Sequence, residues 1–362
     1  MASKASPSAG SHVRRGKKAP GRVKSAEPVK AGGGRESQGA SGKSGVAIVG
    51  SLNMDLVVRT EMIPAPGQTV LGQDLMENSG GKGANQAAAV GRLVRGGGAR
   101  MIGKIGDDAY GRRILGDLQA AGVECSAVLT DRHAATGAAM IVVDRHGENA
   151  IVVAAGANRE LSATDILAQR KSIEASAVLL VQLEVPGDTV ACAVALAKRC
   201  GVMTVLDPAP VSAEGLPESL YHVDILTPNQ TEAEMLSGIA VRTPDDARRA
   251  AERFLARGTR MVIVKLAAQG AVIVQRDGGG RPVAEHVPGF RVPVTDTTAA
   301  GDAFAGALCV GLAEGMNLKE AVRFANAAGA LACTKQGAMA AMPARAEVMN
   351  LLRITPAVAV HG

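Results

Sequence analysis

The sequence is poor in aromatic residues. It contains no Trp, two Tyr and four Phe, so aromatic residues make up only 2% of its 362 residues. A surface that grips single-stranded nucleic acid by stacking on its bases is therefore not expected, and we predict no nucleic-acid partner for the folded part. The core must be built from Val, Leu, Ile, Ala and Met, and a hydrophobic content of 47% is enough for one large domain or two smaller ones.

Cysteine and histidine are also scarce. The five cysteines form no CxxC pair and their number is odd, which favours a reduced compartment; we expect the cytoplasm, with the nucleus as an alternative. The six histidines show no HxxxH or HExxH spacing, so we expect no zinc site. No apolar run is long and charge-free enough to span a membrane, and we expect no membrane partner.

Acidic residues are missing from the beginning of the chain. Residues 1–44 carry ten Lys or Arg against Glu27 and Glu36, a net charge of +8, whereas the remainder carries −2. This segment also lacks Leu, Ile and Phe, so we predict a disordered basic tail over 1–44 and a folded domain over 45–362. Three roles for the tail stay open: a plain disordered extension, an organelle-targeting segment, or a contact with nucleic acid or a partner.

From Gly45 onward, short β-branched runs alternate with helical patterns. The runs VAIVG, SAVLLVQLE, MTVLD, VDILTPN and RMVIVKL are typical of buried parallel strands. We therefore predict an α/β fold, a doubly wound and mostly parallel sheet flanked by helices. Two segments near 55–78 and 136–156 alternate in the manner of paired strands, which predicts a small β-sheet lid over the crevice at the carboxyl ends of the main strands.

The motif DTTAAGDAFAG places an acid at the start of an apolar helix. Ala299, Ala300 and Gly301 are small, so an anion can approach the unpaired amides of the first turn, and Asp302 follows directly. An anion hole beside a carboxylate base suits phosphoryl transfer to a hydroxyl. The alternative, that Asp302 merely caps its helix, carries equal weight from these residues alone.

Two motifs combine amides and charges. In SLNMD, Asn53 and Asp55 lie two apart on an extended chain and point the same way, as the binding of neighbouring sugar hydroxyls requires; a polar strand end is the alternative. In NSGGKGANQAAA, glycines free the backbone, Lys82 supplies a cation and Asn85 opens a helix. This motif is not a Walker A loop, and a structural glycine turn explains it equally well.

The motif LTPNQTEAE ends a predicted strand with Asn229 and Glu232 three residues apart. Their oxygens could hold water molecules around Mg²⁺, which contacts few protein groups directly. The alternative is an ordinary helix start with acids in its first turn.

These motifs occur together, in order, with PAPGQTV, IGDDAYG, GENAIVVAAGAN, DPAP and FANAAGALA, from about Val46 to Pro343. In this combination the chain resembles the PfkB family of sugar kinases, and GGKGANQA favours the ribokinase branch. The resemblance implies ATP-dependent phosphorylation of ribose at its 5-hydroxyl to give ribose 5-phosphate, with Mg²⁺ accompanying ATP, K⁺ as monovalent activator, and a homodimer formed through the lid sheet. The alternatives are another kinase of the family, acting on deoxyribose, fructose or adenosine, and a catalytically silent binding relative.

The resemblance also implies roles for individual residues. Asp302 would be the catalytic base, with the amides of Ala299, Ala300, Gly301 and Asp302 as the anion hole. The sugar site would comprise Asn53, Met54, Asp55, Gly81, Lys82, Gly83, Ala84, Asn85, Glu184 and Asp302. The nucleotide site would comprise Asn229, Lys265, Leu266, Ala267, Ala268, Gln269, Gly270, Gly301, Asp302 and Asn326. Glu232 would organise the Mg²⁺ shell, and the monovalent cation would lie near Asp296, Thr298, Ala332, Lys335, Gly337 and Ala341.

The chain departs from the family pattern at a few of these positions. Lys265-Leu266-Ala267 stands where the family often has Thr-Leu-Gly, and Lys265 could act there as a point charge. Asp207 stands where asparagine is frequent, which adds negative charge near the expected metal. Ala341 stands where a serine is common, so the expected cation site has one side-chain ligand fewer.

Overall fold

The computed structural model describes residues 42–355, so the predicted tail over 1–44 lies almost entirely outside the described residues. The thirteen strands of this part are β1 Val46–Val49, β2 Asn53–Thr60, β3 Gly72–Gly80, β4 Ala99–Gly106, β5 Val123–Asp131, β6 Gly137–Val143, β7 Asn149–Ala154, β8 Val178–Val181, β9 Met203–Leu206, β10 Ile225–Leu226, β11 Met261–Lys265, β12 Ala271–Arg276 and β13 Pro282–Val287. Its α-helices are α1 Lys82–Leu93, α2 Ala109–Ala120, α3 Ala163–Ala168, α4 Arg170–Glu174, α5 Gly187–Arg199, α6 Gln230–Ser237, α7 Pro244–Ala256, α8 Ala300–Ala313, α9 Leu318–Ala332 and α10 Arg345–Ile354.

Nine strands form the main sheet, in the order β13-β12-β11-β10-β9-β8-β1-β4-β5. The seven strands from β11 to β5 pair in parallel, and β12 and β13 continue one edge in antiparallel fashion. The predicted doubly wound, mostly parallel sheet is therefore confirmed. Its order reverses at β1, because β4 and β8 lie on opposite sides of that strand, and such a switch point is where α/β sheets bind ligands.

Each face of the main sheet carries its own apolar core. Val46 and Ile48 of β1 pack into the core that includes α1, α8 and α9, whereas Ala47 and Val49 pack into the core that includes α5 and α7. Successive side chains of a strand point to opposite faces, so a strand buried on both sides must be apolar at every position. This is why VAIV carries no polar residue.

The helix termini follow local sequence signals. Thr243 accepts a hydrogen bond from the Asp246 amide and Asn317 accepts one from the Glu320 amide, so each side chain caps the helix that follows it. One predicted boundary was wrong: α1 begins at Lys82 and not at Asn85. The reason is Gly81, whose φ of 86° lets the chain turn directly from β3 into the helix.

The two segments outside the alternation form the predicted second sheet. Its order is β3-β2-β6-β7, with β2 and β6 parallel and the outer pairs antiparallel. Strand β2 follows directly from the carboxyl end of β1, so this sheet begins at the switch point. Across residues 42–355, the helices are all too short or too polar to cross a bilayer.

Candidate active site

Polar residues follow five neighbouring parallel strands. Asn53 lies just after β1, Glu184 after β8, Asp207 after β9, Asn229 after β10, and Lys265 ends β11. These strands are adjacent in the main sheet, so their carboxyl ends form one continuous edge. The topology thus brings together groups that are up to about 210 residues apart in the sequence, at the edge where doubly wound sheets bind ligands.

A cavity of about 800 Å³ opens at this edge, beside the start of α8. Its volume is in the range of sites that enclose a nucleotide-sized molecule. Eight of the ten predicted nucleotide-site residues line it: Asn229, Lys265, Ala267, Ala268, Gly270, Gly301, Asp302 and Asn326. The other two do not, and Leu266 is buried in the core beneath it.

Asp302 is the third residue of α8 and its carboxylate is held from α1. Asn85 Nδ2 donates to Oδ2 at 3.2 Å and Gln86 Nε2 donates to Oδ1 at 3.1 Å. The N-cap of α8 is Ala299, with no side-chain cap bond, so Asp302 does not cap its own helix. The helix-cap alternative is therefore wrong for this residue.

The surroundings of Asp302 make it a stronger base than an ordinary carboxylate. Only 5% of the residue is exposed, and burial raises the pKa of Asp302 to about 6. The Lys82 ammonium opposes this shift, whereas the negative charges of Asp207 and Glu184 add to it. A carboxylate with this pKa is mostly ionised near neutral pH and still accepts a proton readily.

The first turn of α8 offers free amides beside this carboxylate. The amide of Ala300 donates to the Thr297 carbonyl at 3.3 Å, so the predicted hole of four amides is reduced. Within residues 42–355, the amides of Ala299, Gly301 and Asp302 have no acceptor, and the last two belong to α8. Ala299 adopts the left-handed conformation with φ 58°, which costs energy for a residue other than glycine and is typical of functional turns.

The predicted sugar residues surround the switch point. Glu184 Oε2 accepts bonds from Ser51 Oγ at 2.5 Å and from the Lys82 amide at 3.0 Å. Asn85 Oδ1 is buried without a hydrogen-bond partner among the described residues. A buried acceptor left unpaired is costly and indicates that a donor, such as a ligand hydroxyl, belongs there.

Asp55 shares this region with two other acids. Burial, with the nearby negative charges of Glu184 and Asp302, raises the pKa of Asp55 to about 7. The side chains of Met54 and Ala84 are instead fully buried in the core, and Gly83 packs against the backbone of Gly50 and Ser51. Of the predicted set, these three residues therefore offer no side chain to a ligand.

The sequence did not single out three residues that organise the site. Gln86 Nε2 donates to both Asp302 and Asp207, at 3.1 and 3.0 Å. Asn158 accepts from the Leu52 amide and donates to Asn53 Oδ1 at 2.8 Å, which fixes the connection from β1 to β2. Ser51 Oγ donates to Glu184 Oε2 at 2.5 Å. Gln86 and Asn158 both lie inside quoted motifs, GANQ and AGAN, but nothing local in those motifs indicates their partners.

Asn229 and Glu232 form a capping box at the start of α6. Asn229 Oδ1 accepts from the Glu232 amide at 2.8 Å, and Glu232 Oε2 accepts from the Asn229 amide at 2.8 Å. The interpretation of this motif as a helix start is therefore correct, and it does not exclude a contact with a ligand. Glu232 also lines the cavity, and burial raises its pKa despite the opposing charge of Lys265.

The predicted cation residues lie in two adjoining segments, the loop before α8 and the stretch from Ala332, the last residue of α9, to Ala341. Asp296 Oδ1 accepts from the Thr298 amide and Oδ2 from the Gly337 amide, both at 2.9 Å. Lys335 turns its ammonium away to Glu347, at 2.8 Å, and Ala341 is fully buried. Between residues 42 and 355 there is no cluster of three or more His, Cys, Asp or Glu side chains suited to a metal ion.

Comparison with known proteins places the chain in a family. Residues 43–345 match the pfkB family carbohydrate kinases. The chain is 39% identical to the ribokinase of Haemophilus influenzae over 307 residues, 85% of this chain and 98% of that protein. The solved ribokinase of Thermotoga maritima matches with a TM-score of 0.77 at 37% identity, covering 86% of this chain and 99% of the other. The Arabidopsis thaliana ribokinase complexed with ribose and ATP matches with a TM-score of 0.76 at 30% identity, covering 86% and 100%.

The fold and these similarities define an α/β phosphotransferase. The chain belongs to the pfkB family of carbohydrate kinases, and it is a sugar kinase.

The pKa of Asp55 yields a stability prediction. The pKa of Asp55 is about 7 in the folded protein and near 3.8 in the unfolded chain, so the folded protein binds the Asp55 proton more tightly. The stability that this group contributes is therefore lost as the pH rises toward about 7. Asp55→Asn removes this loss, and we expect it to raise the free energy of unfolding by about 1–3 kcal/mol near pH 8 while weakening sugar binding. The measurement is thermal unfolding of ligand-free protein between about pH 4.5 and 8.

The control is Asp74→Asn, an exposed carboxylate on β3 of the same small sheet. The difference between Asp55→Asn and the parent should grow with pH, and that for Asp74→Asn should stay near zero. A loss of stability in Asp55→Asn at pH 8 would show that the charge of Asp55 is well compensated in the folded protein.

Proposed function

We propose that this sugar kinase transfers the γ-phosphoryl group of ATP to the 5-hydroxyl of ribose, giving ribose 5-phosphate and ADP, with Asp302 as the general base. The observation that carries the proposal is the position of the Asp302 carboxylate. It is buried, its pKa is raised to about 6, and it adjoins two free amides at the wall of the cavity.

The reaction needs a base and a place for phosphoryl charge. Asp302 accepts the proton of the sugar hydroxyl as its oxygen attacks the γ-phosphorus, and the bond from phosphorus to the ADP oxygen breaks. The phosphoryl oxygens develop charge against the amides of Gly301 and Asp302, where the dipole of α8 is positive. Asn85 and Gln86 hold the carboxylate, so its orientation is fixed before the sugar arrives.

The sugar would lie at the switch point, between β1 and β8. Asn53, Asp55, Gly81, Asn85 and Glu184 present amide, carboxylate and backbone groups there, as neighbouring hydroxyls require. The unpaired Oδ1 of Asn85 supports this placement, because a hydroxyl would supply its missing donor. Ribose and ATP as the substrate pair are supported by the Arabidopsis ribokinase complex, all of whose chain this protein matches.

We assign the Mg²⁺ that accompanies ATP to the part of the cavity near Asn229 and Glu232. The residues fit this ion, because the Glu232 oxygens line the cavity and keep free lone pairs beyond their bonds to Asn229. Bound Mg²⁺ neutralises phosphate charge, and Glu232 would hold waters of its shell.

A monovalent cation, K⁺, is assigned to the loops that Asp296 joins. The carboxylate of Asp296 supplies negative charge, and its bonds to Thr298 and Gly337 hold together two loops with backbone carbonyls. Because Ala341 brings no side-chain oxygen, the remaining ligands would be carbonyls. The Asp296 loop runs directly into Ala299 and α8, which links cation binding to the anion hole.

The lid sheet is assigned to a homodimer contact. Leu75, Met140, Ile151, Val152 and Val153 of this sheet are each more than half exposed. Met140 and Val152 are directly opposite in the β6–β7 pair, so they form one apolar spot on one face. Exposed apolar clusters of this kind mark interaction surfaces.

The reduced state of the cysteines, all five of them free, suits the cytoplasm or the nucleus.

The substrate assignment is tested by one coupled assay. ATP consumption is measured with ribose, deoxyribose, fructose and adenosine, each with K⁺ and with Na⁺ at equal ionic strength. We expect the highest kcat/KM with ribose and a higher rate in K⁺. A preference for another acceptor would reassign the substrate within the family, and equal rates in both salts would remove the K⁺ site.

The role of Asp302 is tested by Asp302→Asn. We expect kcat to fall by about 10²–10⁴-fold, while the ribose affinity measured by calorimetry changes little. In the parent, kcat should fall below about pH 6, because the carboxylate must be ionised to act as a base. The control is Asp188→Asn, an exposed acid in the first turn of α5, which should leave kcat unchanged. Near-normal turnover in Asp302→Asn would rule out the base.

The dimer assignment is tested by Val152→Lys. The added charge would have to be buried in the interface, so we expect the sedimentation velocity of a dimer in the parent and of a monomer in the variant. Leu167→Lys, at an exposed apolar position on α3, is the matched control and should behave as the parent does. A parent that sediments as a monomer at high concentration would contradict the assignment.

A further inference from the structure

An ion pair lies between the sugar and nucleotide parts of the site. Lys265 Nζ lies 2.6 Å from Asp207 Oδ1, and the side chains are only 11% and 3% exposed. The two residues come from β11 and from the end of β9, the strands on either side of β10. Removing two charges from water is costly and the pairing does not always repay it, so such a pair calls for an explanation beyond stability.

We propose that the Lys265 ammonium is a phosphate-binding cation of this active site, and that Asp207 is the residue that positions it. The inference rests on the proposed function, because the phosphate is that of ATP. It adds to the site a catalytic side chain that differs from the threonine frequent at this position.

The ammonium has donors to spare. Asp207 is its one hydrogen-bond acceptor within the described part of the chain, and an ammonium carries three N–H groups. A Cβ placed on Gly301 would lie 3.7 Å from Lys265 Nζ, so the ammonium stands beside one of the two free amides of α8. Lys265 and Gly301 both line the cavity. A cation and two amides thus converge on one volume, as the oxygens of a phosphoryl group require.

Asp207 ties this cation to the base. Its second oxygen, Oδ2, accepts from Gln86 Nε2 at 3.0 Å, and the same nitrogen donates to Asp302 Oδ1 at 3.1 Å. The series Lys265–Asp207–Gln86–Asp302 therefore fixes the distance between the phosphate-binding cation and the carboxylate that takes the proton. Groups held in this way need little reorganisation during the reaction.

The two charges are needed together. Asp207 alone would place an uncompensated carboxylate on the wall of a cavity that receives ATP, and like charges repel strongly in a buried site. Lys265 alone would lack the partner that orients it. With both present, the pair adds no net charge, yet the remaining N–H groups of the ammonium still bind phosphate oxygens at short range.

Nucleotide binding by calorimetry tests this assignment, with ATP, ADP and adenosine as probes. We expect Lys265→Met to weaken the binding of ATP by at least about tenfold and that of adenosine by less than about twofold, since only ATP carries the phosphates. The double variant Asp207→Asn with Lys265→Thr removes both charges and so separates the lost contact from repulsion by a lone Asp207. It should still bind ATP about tenfold more weakly than the parent, with adenosine unchanged.

Lys104→Met is the matched control. Lys104 is 12% exposed and pairs with Asp165 at 2.8 Å, away from the cavity, so its loss should spare ATP affinity. Lys265→Arg keeps the charge and should retain more ATP affinity than Lys265→Met, with thermal unfolding as the check that each variant is folded. If the double variant binds ATP as the parent does, the pair is structural and the assignment fails.

The positioning role of Asp207 has a separate readout. The charge of Asp207 contributes to the raised pKa of Asp302, so Asp207→Asn should move the acid limb of kcat to lower pH. An unmoved limb would overturn the coupling between the pair and the base. If either measurement contradicts the role of the pair, the proposed phosphorylation of ribose still stands. If the sugar substrate proves to be a different one, the expected difference between ATP and adenosine binding still stands. The two proposals can therefore be refuted separately.

Discussion

The proposed base role requires the Asp302 carboxylate to be ionised in a place from which water is almost excluded. Its burial follows from its position, the third residue of a helix whose next nine residues are all buried. The charge is tolerated because Asn85, Gln86 and the nearby Lys82 ammonium replace water as its partners. The same burial raises the basicity of Asp302. Chemistry and stability therefore oppose each other at this one residue, and α1 provides the compensation.

The connection between α1 and α8 also explains the strict packing around the glycine motif. Gly83 approaches the backbone after β1 so closely that a Cβ would lie 2.6 Å from the Ser51 nitrogen. Gly81 at φ 86° turns the chain there. The result is that Lys82, Asn85 and Gln86 all enter the site from the first turns of one short helix. The glycine motif is weak evidence for function by itself. It matters because Gly81 and Gly83 let α1 approach the backbone after β1 closely enough to bring these side chains into the site.

The fold could be predicted from sequence because its signals are local. Apolar β-branched runs predicted the parallel strands, and alternating runs predicted the second sheet. The start of α1 was misplaced, because a glycine at positive φ ends a strand and begins a helix without any capping side chain. The residue pattern therefore predicted a helix or strand boundary correctly where the boundary residue has a recognisable side chain, and it failed where a glycine conformation sets the boundary.

The site could be predicted only in part, for a physical reason. Single acids and amides at strand ends or helix starts can be recognised locally, as Asn53, Asn229 and Asp302 were. A contact between Asp207 and Lys265, 58 residues apart, exists only because two strands flank a third, and neither residue indicates its partner. Gln86 was overlooked for the same reason, since both of its acids come from other parts of the chain.

The charges of the site show why it needs its ligands. Within residues 42–355, the acids Asp55, Glu184, Asp207 and Asp302 gather around two ammonium groups, Lys82 and Lys265. Burial and the mutual repulsion of these acids raise the pKa of Asp55 and Asp302. Such an excess of buried acid costs stability in the free protein. Sugar hydroxyls would donate to Asp55 and to the unpaired Asn85 oxygen, so binding relieves part of that cost. Under the proposed function, relief of the repulsion among these carboxylates would contribute to the affinity for a molecule rich in hydrogen-bond donors, and the same repulsion raises the basicity of Asp302.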